Sequence, residues 1–183
     1  MGALPESVKL EDTLIAFGDE ARVGTQGILS RGWTLKGERL RLPRAHGFVS
    51  LYFVGAVIPD TGEVFSLVFP VSDSSAMQLF LDAFSKTIEK GKHVVLVLDN
   101  APWHKKKTLK IPVNISIVFL PPYSPELNPI EQLWKELKHR WLSNFAIYSY
   151  DALLEACVSA WEKLKLLGSS FIQKLCHRGW AKM

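Results

Sequence analysis

Three acidic residues stand where a metal-binding site could form. Asp99 directly follows the β-branched apolar run 94–98, which is typical of a buried strand. Asp19 ends a second apolar run, 14–18, and Glu131 lies in the first turn of an amphipathic helix. Carboxylate oxygens are the ligands that Mg²⁺ and Mn²⁺ prefer, and two such ions can neutralise the attacking and leaving oxygens at a phosphodiester. The pattern therefore favours phosphoryl transfer on nucleic acid.

Each acidic residue also has a purely structural interpretation. Asp99 stands in an Asp-Asn pair and could cap the next turn. Glu131 follows Asn128 by three residues and could complete a capping box. Asp19 and Glu20 could be solvated turn residues. The convergence of three such positions on one edge of a sheet favours a metal site over three separate structural roles.

The predicted elements form a mixed α/β scaffold. Runs of β-branched and aromatic residues between turn residues predict strands at 13–19, 48–58, 63–71, 93–98 and 115–120. Apolar residues at helical spacing predict helices at 129–142 and 150–167, a helix capped by Ser74 or Ser75 that runs to about Lys90, and a short helix after Pro102. Antiparallel strands followed by alternating strands and helices indicate a mixed five-stranded sheet with helices on both faces. This order resembles the ribonuclease-H-like fold, and the pattern alone also allows other α/β folds.

Length and composition limit the class of protein. The chain has 183 residues, of which 48% are hydrophobic, so we expect one domain with a substantial core. The net charge of +4 is compatible with a polyanionic partner but does not require one. Cys157 and Cys176 lack metal-ligand spacing, and we expect them to be buried free thiols. No run approaches the roughly 20 apolar residues of a membrane span, and no secretory signal is visible, so we expect a cytoplasmic protein.

Three motifs carry a resemblance to a known family. They are Gly18-Asp19-Glu20, Leu98-Asp99-Asn100-Ala101 followed by His104, and the run 120–131 (LPPYSPELNPIE) followed by Trp134 and Lys138. Together they resemble the DDE transposases of bacterial insertion sequences, in the branch related to mariner elements. A weaker resemblance to the same family is found at Gly32-Trp33 with Lys36-Gly37 and at Arg178-Gly179-Trp180-Ala181. The resemblance covers roughly residues 13–142.

The resemblance implies a catalytic triad and its metals. Asp19, Asp99 and Glu131 match the family's metal ligands, which hold two Mg²⁺ ions for which Mn²⁺ can substitute. Such enzymes cut DNA at transposon ends with water as the nucleophile. They then join the freed 3′-hydroxyl to target DNA, usually at a TA dinucleotide, without a covalent enzyme intermediate. The spacer between Asp99 and Glu131 has 31 residues, 100–130, a few fewer than is usual among mariner relatives.

Further residues are candidates for supporting roles. Asn100, His104 and Asn128 could orient the carboxylates or the scissile phosphate, although a hydrogen-bonded turn histidine is the simpler interpretation of His104. Mariner relatives carry a DNA-contacting clamp loop where this chain has a glycine-rich segment, 21–47, whose candidate DNA contacts are Arg22, Arg31, Lys36, Arg39, Arg41 and Arg44. Further candidate DNA contacts near the carboxylates are Lys105, Lys106, Lys107, Lys135 and Lys138. A solvated loop and ordinary solubilisation of a helix are the alternatives for these lysines and arginines.

The domain prediction follows from these observations. We divide the chain into a lead-in, 1–12, a ribonuclease-H-like catalytic domain, 13–145, and a helical extension, 146–183, that packs on the same domain. Only about a dozen residues precede the first strand, so we do not expect this chain to contain the helix-turn-helix region of full-length relatives. A separately encoded region in an upstream reading frame, a fragment of a longer protein and a remnant are the three explanations that the sequence leaves open. The resemblance further implies a homodimer in the DNA complex, associated with the bacterial nucleoid. The alternatives are a free-standing ribonuclease-H-like nuclease and an inactive or domesticated DNA-binding protein.

Overall fold

The structure is a computed structural model, and it describes residues 10–25, 33, 35–38, 48–106, 108–144 and 146–177. The strands are β1 (Thr13–Gly24), β2 (Ser50–Ile58), β3 (Glu63–Phe69), β4 (His93–Leu98) and β5 (Ile115–Phe119). The α-helices are α1 (Ser74–Thr87), α2 (Ile130–Trp141), α3 (Tyr150–Leu166) and α4 (Ser169–Cys176). Short 3₁₀ helices span Leu10–Asp12, Pro102–Lys105 and Pro125–Leu127.

The strands join into one mixed sheet in the order β3-β2-β1-β4-β5. β1 and β2 pair antiparallel, as do β2 and β3, whereas β4 pairs in parallel with β1 on one side and β5 on the other. Helix α1 packs in one apolar core, while α2, α3 and α4 pack in the other. The predicted mixed five-stranded sheet with helices on both faces is therefore confirmed.

Strand β1 is longer than predicted, and Asp19 lies within it rather than at its end. The pairing of β1 with β4 reaches only Phe17, opposite Val97. The pairing with β2 continues to Gly24, so the polar residues after Phe17 remain in the ladder. Asp19 therefore lies at the level where the neighbouring β4 ends. Beyond this level, β4 no longer pairs with that side of β1. The expectation of a strand end at residue 19 was wrong because pairing with β2, whose partner residues are 26 or more positions away in sequence, holds the strand.

Helix α1 covers the first face of the sheet with aromatic rings. The rings of Phe80 and Phe84 lie 5.6 Å apart, and Phe65 of β3 packs within 5.8 Å of both.

Helix α1 begins at a capping aspartate. The carboxylate of Asp73 accepts hydrogen bonds of 2.9 Å from the backbone N–H groups of Ser75 and Ala76. Asp73 is thus the N-cap, so the prediction that Ser74 or Ser75 caps α1 was wrong by one or two residues.

Helices α2, α3 and α4 cover the second face around a cluster of aromatic rings. The rings of Phe53, Trp134 and Trp161 have centroids 6.0 to 6.4 Å apart. Gly168, with a φ of +81°, separates α3 from α4, and the sequence prediction did not identify α4 as a helix of its own. The side chain of Gln173 in α4 donates to the carbonyl of Asp60 in the β2–β3 turn. The C-terminal helices thus share the core of the sheet.

Cys157 and Cys176 are buried free thiols, as predicted. Burial raises the pKa of the Cys157 thiol to about 12, so the thiol stays protonated near neutral pH. Among the helices that the structure describes, none has the length and apolar character needed to cross a membrane.

Candidate active site

A cavity of about 400 Å³ lies where β1, the end of β4 and the start of α2 meet. Its lining includes Asp19, Asp99 and Glu131, together with Asn128 and residues of the segment 120–125. The structure thus brings the three predicted acidic residues to one cavity, although they come from three different elements. A cavity that gathers carboxylates with a perturbed pKa marks a candidate catalytic centre.

Asp19 is the carboxylate with the most perturbed environment. Burial raises its pKa to about 7, and the negative charges of Glu131, Glu20 and Asp99 add to the rise against a hydrogen bond with the backbone of Glu20. The indole Nε1–H of Trp134 donates to Asp19 Oδ2 at 3.2 Å. The cavity therefore concentrates negative charge that a cation would relieve.

Asp99 emerges from β4 and is held through one of its oxygens. Asp99 Oδ1 accepts a 3.0 Å hydrogen bond from the backbone N–H of Ala101. The same oxygen lies 2.9 Å from Nδ1 of His104. Its side chain is 51% exposed, towards the cavity that it helps to line. The turn-capping interpretation of Asp99 is therefore confirmed, and it coexists with a place in the cavity.

Glu131 is positioned by the start of α2, which Asn128 fastens to β1. Asn128 is buried, its Oδ1 accepts from the N–H of Ile130 at 3.4 Å, and its Nδ2 donates to the carbonyl of Gly18 at 3.1 Å. The backbone N–H of Asn128 donates to Pro125 at 2.9 Å, which takes the place of the reciprocal bond of a capping box. Asn128 thus joins the helix of Glu131 to the residue before Asp19.

Asn100 connects the two parallel strands at the cavity rim. Its Nδ2 donates to the carbonyl of Leu120, the residue that follows β5. The N–H of Leu120 donates in turn to the carbonyl of Leu98 at 2.8 Å. Asn100 therefore holds the start of the proline-rich segment beside Asp99. Its side chain contacts the backbone of Leu120 rather than a carboxylate.

His104 lies between two carboxylates. Its Nδ1 is 2.9 Å from Asp99 Oδ1, its Nε2 is 2.9 Å from Glu20 Oε1, and its side chain has no exposed surface. Burial alone would lower the pKa of His104, but the hydrogen bonds to Asp99 and Glu20 outweigh it and raise the pKa to about 9. The backbone N–H of His104 also donates to Ala101 at 3.0 Å, so this residue is both a turn histidine and a direct contact of Asp99.

Glu20 and Trp103 are site residues that sequence reasoning missed. The carboxylate of Glu20 is only 11% exposed and accepts hydrogen bonds at Oε1 from Trp103 Nε1, at 3.0 Å, and from His104 Nε2. The interpretation of Glu20 as a solvated turn residue was therefore wrong, because β1 continues through it. Strand alternation held a signal, since it turns Glu20 to the face opposite Asp19.

The candidate DNA contacts are only partly described. Arg22 donates from Nε to Ser50 Oγ at 3.0 Å, and Lys106 donates to Ser74 Oγ at 3.3 Å. The side chains of Lys36 and Lys135 are exposed, and that of Lys138 is half-buried. Arg31, Arg39, Arg41, Arg44, Lys107 and the side chain of Lys105 lie outside the described residues. Their roles stay predictions.

The carboxylate oxygens that line the cavity suit a hard divalent cation, but they are not arranged to bind one ion together. Three carboxylates share the lining, and burial, with the neighbouring negative charges, raises the pKa of Asp19. Within the described parts of the chain, however, no three acidic, histidine or cysteine side chains stand close enough together to hold one ion. The carboxylates would have to move towards one another to ligate a shared ion.

Two curated proteins resemble the sequence of this chain. The uncharacterized protein y4pE/y4sA of Sinorhizobium fredii (strain NBRC 101917 / NGR234) is 45% identical over 113 residues, which are 62% of this chain and 84% of that protein. The insertion element IS630 uncharacterized 39 kDa protein of Shigella sonnei is 28% identical over 156 residues, which are 82% of this chain and 42% of that protein.

Solved structures of the Mos1 transposase resemble the fold. The Mos1 strand transfer complex has a TM-score of 0.65 at 18% identity, covering 89% of this chain and 50% of that chain. The Mos1 mariner paired end complex with Mn has a TM-score of 0.67 at 18% identity, covering 89% and 51%. At this identity the similarity shows the fold, which is ribonuclease-H-like, and the chain spans about half the length of the Mos1 chains.

A family model settles the classification. The model described as DDE superfamily endonuclease matches residues 14–154, more than half of the chain, and the matched region contains Asp19, Asp99 and Glu131. The relative from an insertion element and the fold of Mos1 agree with this match. The family resemblance inferred from the motifs is therefore confirmed, and this chain belongs to the DDE superfamily endonucleases.

Proposed function

We propose that this chain is the catalytic domain of an insertion-sequence transposase. It cleaves DNA at transposon ends and transfers the freed 3′-hydroxyl into target DNA at TA sites. The observation that carries the proposal is the convergence of Asp19, Asp99 and Glu131 on one cavity from three separate elements. Membership of the DDE superfamily endonucleases and the similarity to an insertion-element protein support it.

Asp19, Asp99 and Glu131 are the proposed ligands of two Mg²⁺ ions, for which Mn²⁺ can substitute. Bound ions of this kind neutralise the charge on the attacking and leaving oxygens of a phosphodiester. The raised pKa of Asp19 supports the assignment, since a cation would stabilise the ionised carboxylate in a buried position. The name of one Mos1 complex of the same fold includes Mn.

The surrounding residues keep each carboxylate in place in a different way. Trp134 donates to Asp19 Oδ2, and His104 and the N–H of Ala101 hold Asp99 Oδ1. Asn128 fixes the start of the helix that carries Glu131. The catalytic domain, 13–145, needs no protein nucleophile, because water serves in cleavage and the DNA 3′-hydroxyl serves in joining.

DNA contact is assigned to basic side chains around the cavity. Lys106 and Lys135 are exposed near the elements that carry Asp99 and Glu131, and phosphate contacts by such residues depend on salt. The arginines of the segment 21–47, the remaining candidate lysines and a homodimer in the DNA complex belong to the same proposal. The similarity to Mos1 complexes with a transposon end supports DNA as the partner.

Nicking of supercoiled plasmid tests the metal-dependent cleavage. We expect the purified chain to nick plasmid in Mn²⁺ and to stop in EDTA. The variant Asp99→Ala should lose nicking while keeping its fold by circular dichroism and its salt-sensitive binding to DNA. Nicking by folded Asp99→Ala at the wild-type rate would refute the assignment of the site.

Strand transfer distinguishes a transposase from a free-standing nuclease. A labelled oligonucleotide that ends in a transposon 3′-hydroxyl is incubated with target plasmid and Mn²⁺. We expect covalent joining of the label to the plasmid, at TA positions when the products are sequenced. Cleavage of plasmid without any joining would instead identify a nuclease.

A further inference from the structure

We propose that Glu20 is a positioning residue, which orients the Asp99 carboxylate through the imidazole of His104. The inference rests on the proposed function, in which Asp99 is a metal ligand. Glu20 belongs to the motif Gly18-Asp19-Glu20, but the sequence alone suggested no role for it beyond that of a solvated turn residue. The carboxylate, the imidazole and the second carboxylate form a continuous chain of contacts, Glu20 Oε1 to His104 Nε2 and His104 Nδ1 to Asp99 Oδ1, each 2.9 Å long.

Strand geometry gives the two neighbouring acids of β1 different tasks. Successive side chains of a strand point to opposite faces of the sheet. Asp19 accordingly contacts Trp134 of α2, on the second face. Glu20 contacts Trp103 and His104, which follow β4 and lie 83 and 84 residues away in sequence. Two adjacent residues of β1 therefore act on opposite faces of the sheet. Asp19 is a candidate metal ligand, and Glu20 contacts the histidine that holds another candidate ligand, Asp99.

The contacts of His104 fix the orientation of its ring at both nitrogens. An ionised carboxylate can only accept hydrogen bonds, so both ring nitrogens act as donors. The ring has no exposed surface, and a loss of Glu20 would leave Nε2–H without its acceptor in a buried position. Rotation of the ring towards another acceptor would then withdraw Nδ1–H from Asp99.

Glu20 is itself well held. Its Oε1 also accepts from Trp103 Nε1 at 3.0 Å, and its side chain is 11% exposed. Trp103 and His104 belong to the same short 3₁₀ helix, Pro102–Lys105, which directly follows Asp99 and its turn. Glu20 thus connects this helix to β1, the strand that carries Asp19.

The test is the affinity of the full chain for Mn²⁺, measured by isothermal titration calorimetry without DNA. Removing a residue that hydrogen-bonds to a metal ligand and orients it typically lowers the metal affinity by about 10-fold to 100-fold. We expect Glu20→Ala to weaken Mn²⁺ binding by about tenfold or more. Glu20→Gln keeps an acceptor oxygen but loses the charge, so its loss should be intermediate. The control Glu136→Gln, which removes the charge of an ion-paired glutamate on α2, should bind as wild type.

A double-mutant cycle separates positioning from a general effect of charge. If Glu20 acts through His104, Glu20→Ala should have little further effect in the His104→Ala background. A general loss of negative charge beside the cavity would weaken Mn²⁺ binding equally in both backgrounds. If Glu20→Ala does not fold, the same cycle with Glu20→Gln decides, since its smaller effect must also vanish without His104.

The outcomes separate this inference from the proposed function. Wild-type Mn²⁺ affinity in folded Glu20→Ala or in Glu20→Gln, or equal losses in both backgrounds, would overturn the role of Glu20 and leave the metal site intact. An unchanged affinity in Asp99→Asn would overturn the metal site itself, and the positioning role with it. A loss in Glu20→Ala that is absent in the His104→Ala background would establish the role.

Discussion

The starts of helices α1 and α2 use similar side chains for different purposes. At α1, the side chain of Asp73 accepts its hydrogen bonds from backbone N–H groups in the first turn of its own helix. At α2, the buried Asn128 accepts from Ile130 and also donates to Gly18, a residue 110 positions earlier in the chain. Asp73 therefore stabilises a helix, whereas Asn128 sets the position of a helix relative to a strand.

The difference shows where stability and function are coupled. The α1 face consists of apolar and aromatic contacts, such as those of Phe80 and Phe84, and contains none of the three cavity carboxylates. On the α2 face, Trp134 belongs to the core and also donates to Asp19. Changes in these apolar contacts of α1 should thus alter stability alone, while changes at the start of α2 should alter stability and the cavity together.

The largest expected effect comes from removing the charge of Asp19 in metal-free protein. The pKa of Asp19 is about 7 in the folded state against 3.8 for the free side chain, so the folded protein loses stability as pH rises from about 4 to above 7. At about 1.4 kcal/mol per pKa unit, the full effect is of order 4 kcal/mol. We expect Asp19→Asn in EDTA to be more resistant to urea than wild type at pH 8, with a smaller gain at pH 5. The same gain at both pH values would contradict this.

The next effect is that of Asn128→Ala. The substitution leaves the carbonyl of Gly18 and the N–H of Ile130 without their buried partner, at a cost of about 1 to 3 kcal/mol. Asp19 directly follows Gly18 and Glu131 directly follows Ile130, so the loss of these bonds should displace both carboxylates. Mn²⁺-dependent nicking by the folded variant should therefore fall about 10-fold to 100-fold. Urea denaturation and plasmid nicking measure the two effects. Full nicking activity would show that the α2 start does not position the cavity.

The smallest effect is that of Asp73→Ala, the matched change at α1. Loss of an N-cap costs about 1 kcal/mol, which urea denaturation would detect as a lower midpoint. Nicking should remain at the wild-type rate, since the bonds of Asp73 stay within α1. A fall in nicking as large as that of Asn128→Ala would remove the distinction between the two helix starts.

Local patterns were enough to predict most of the elements. Strand β4 is a continuous apolar run, and α2 shows apolar residues at helical spacing, so their bounds differ from the predictions by at most one residue. The three acidic residues could be assigned to one edge of the sheet because each stands at the end of such a pattern or at the start of a helix. Their individual structural roles were also partly predictable, as the turn cap at Asp99 shows.

What could not be predicted depends on contacts between distant residues. Polar side chains interrupt the apolar pattern of β1 after Gly18, yet pairing with β2 carries the strand on to Gly24. Glu20 meets its partners across 83 and 84 residues, and Trp134 is both a core residue and a donor to Asp19. Such contacts follow from the register of the sheet, which a single sequence does not reveal.

The central claim is that Asp19, Asp99 and Glu131 hold divalent metal in one cavity. Its most direct test is an anomalous diffraction measurement on crystals of the chain soaked in Mn²⁺. We expect two anomalous peaks about 4 Å apart inside the cavity, bound by these three carboxylates. Mn²⁺ peaks found only at other sites of the protein, with the cavity accessible in the crystal, would contradict the claim.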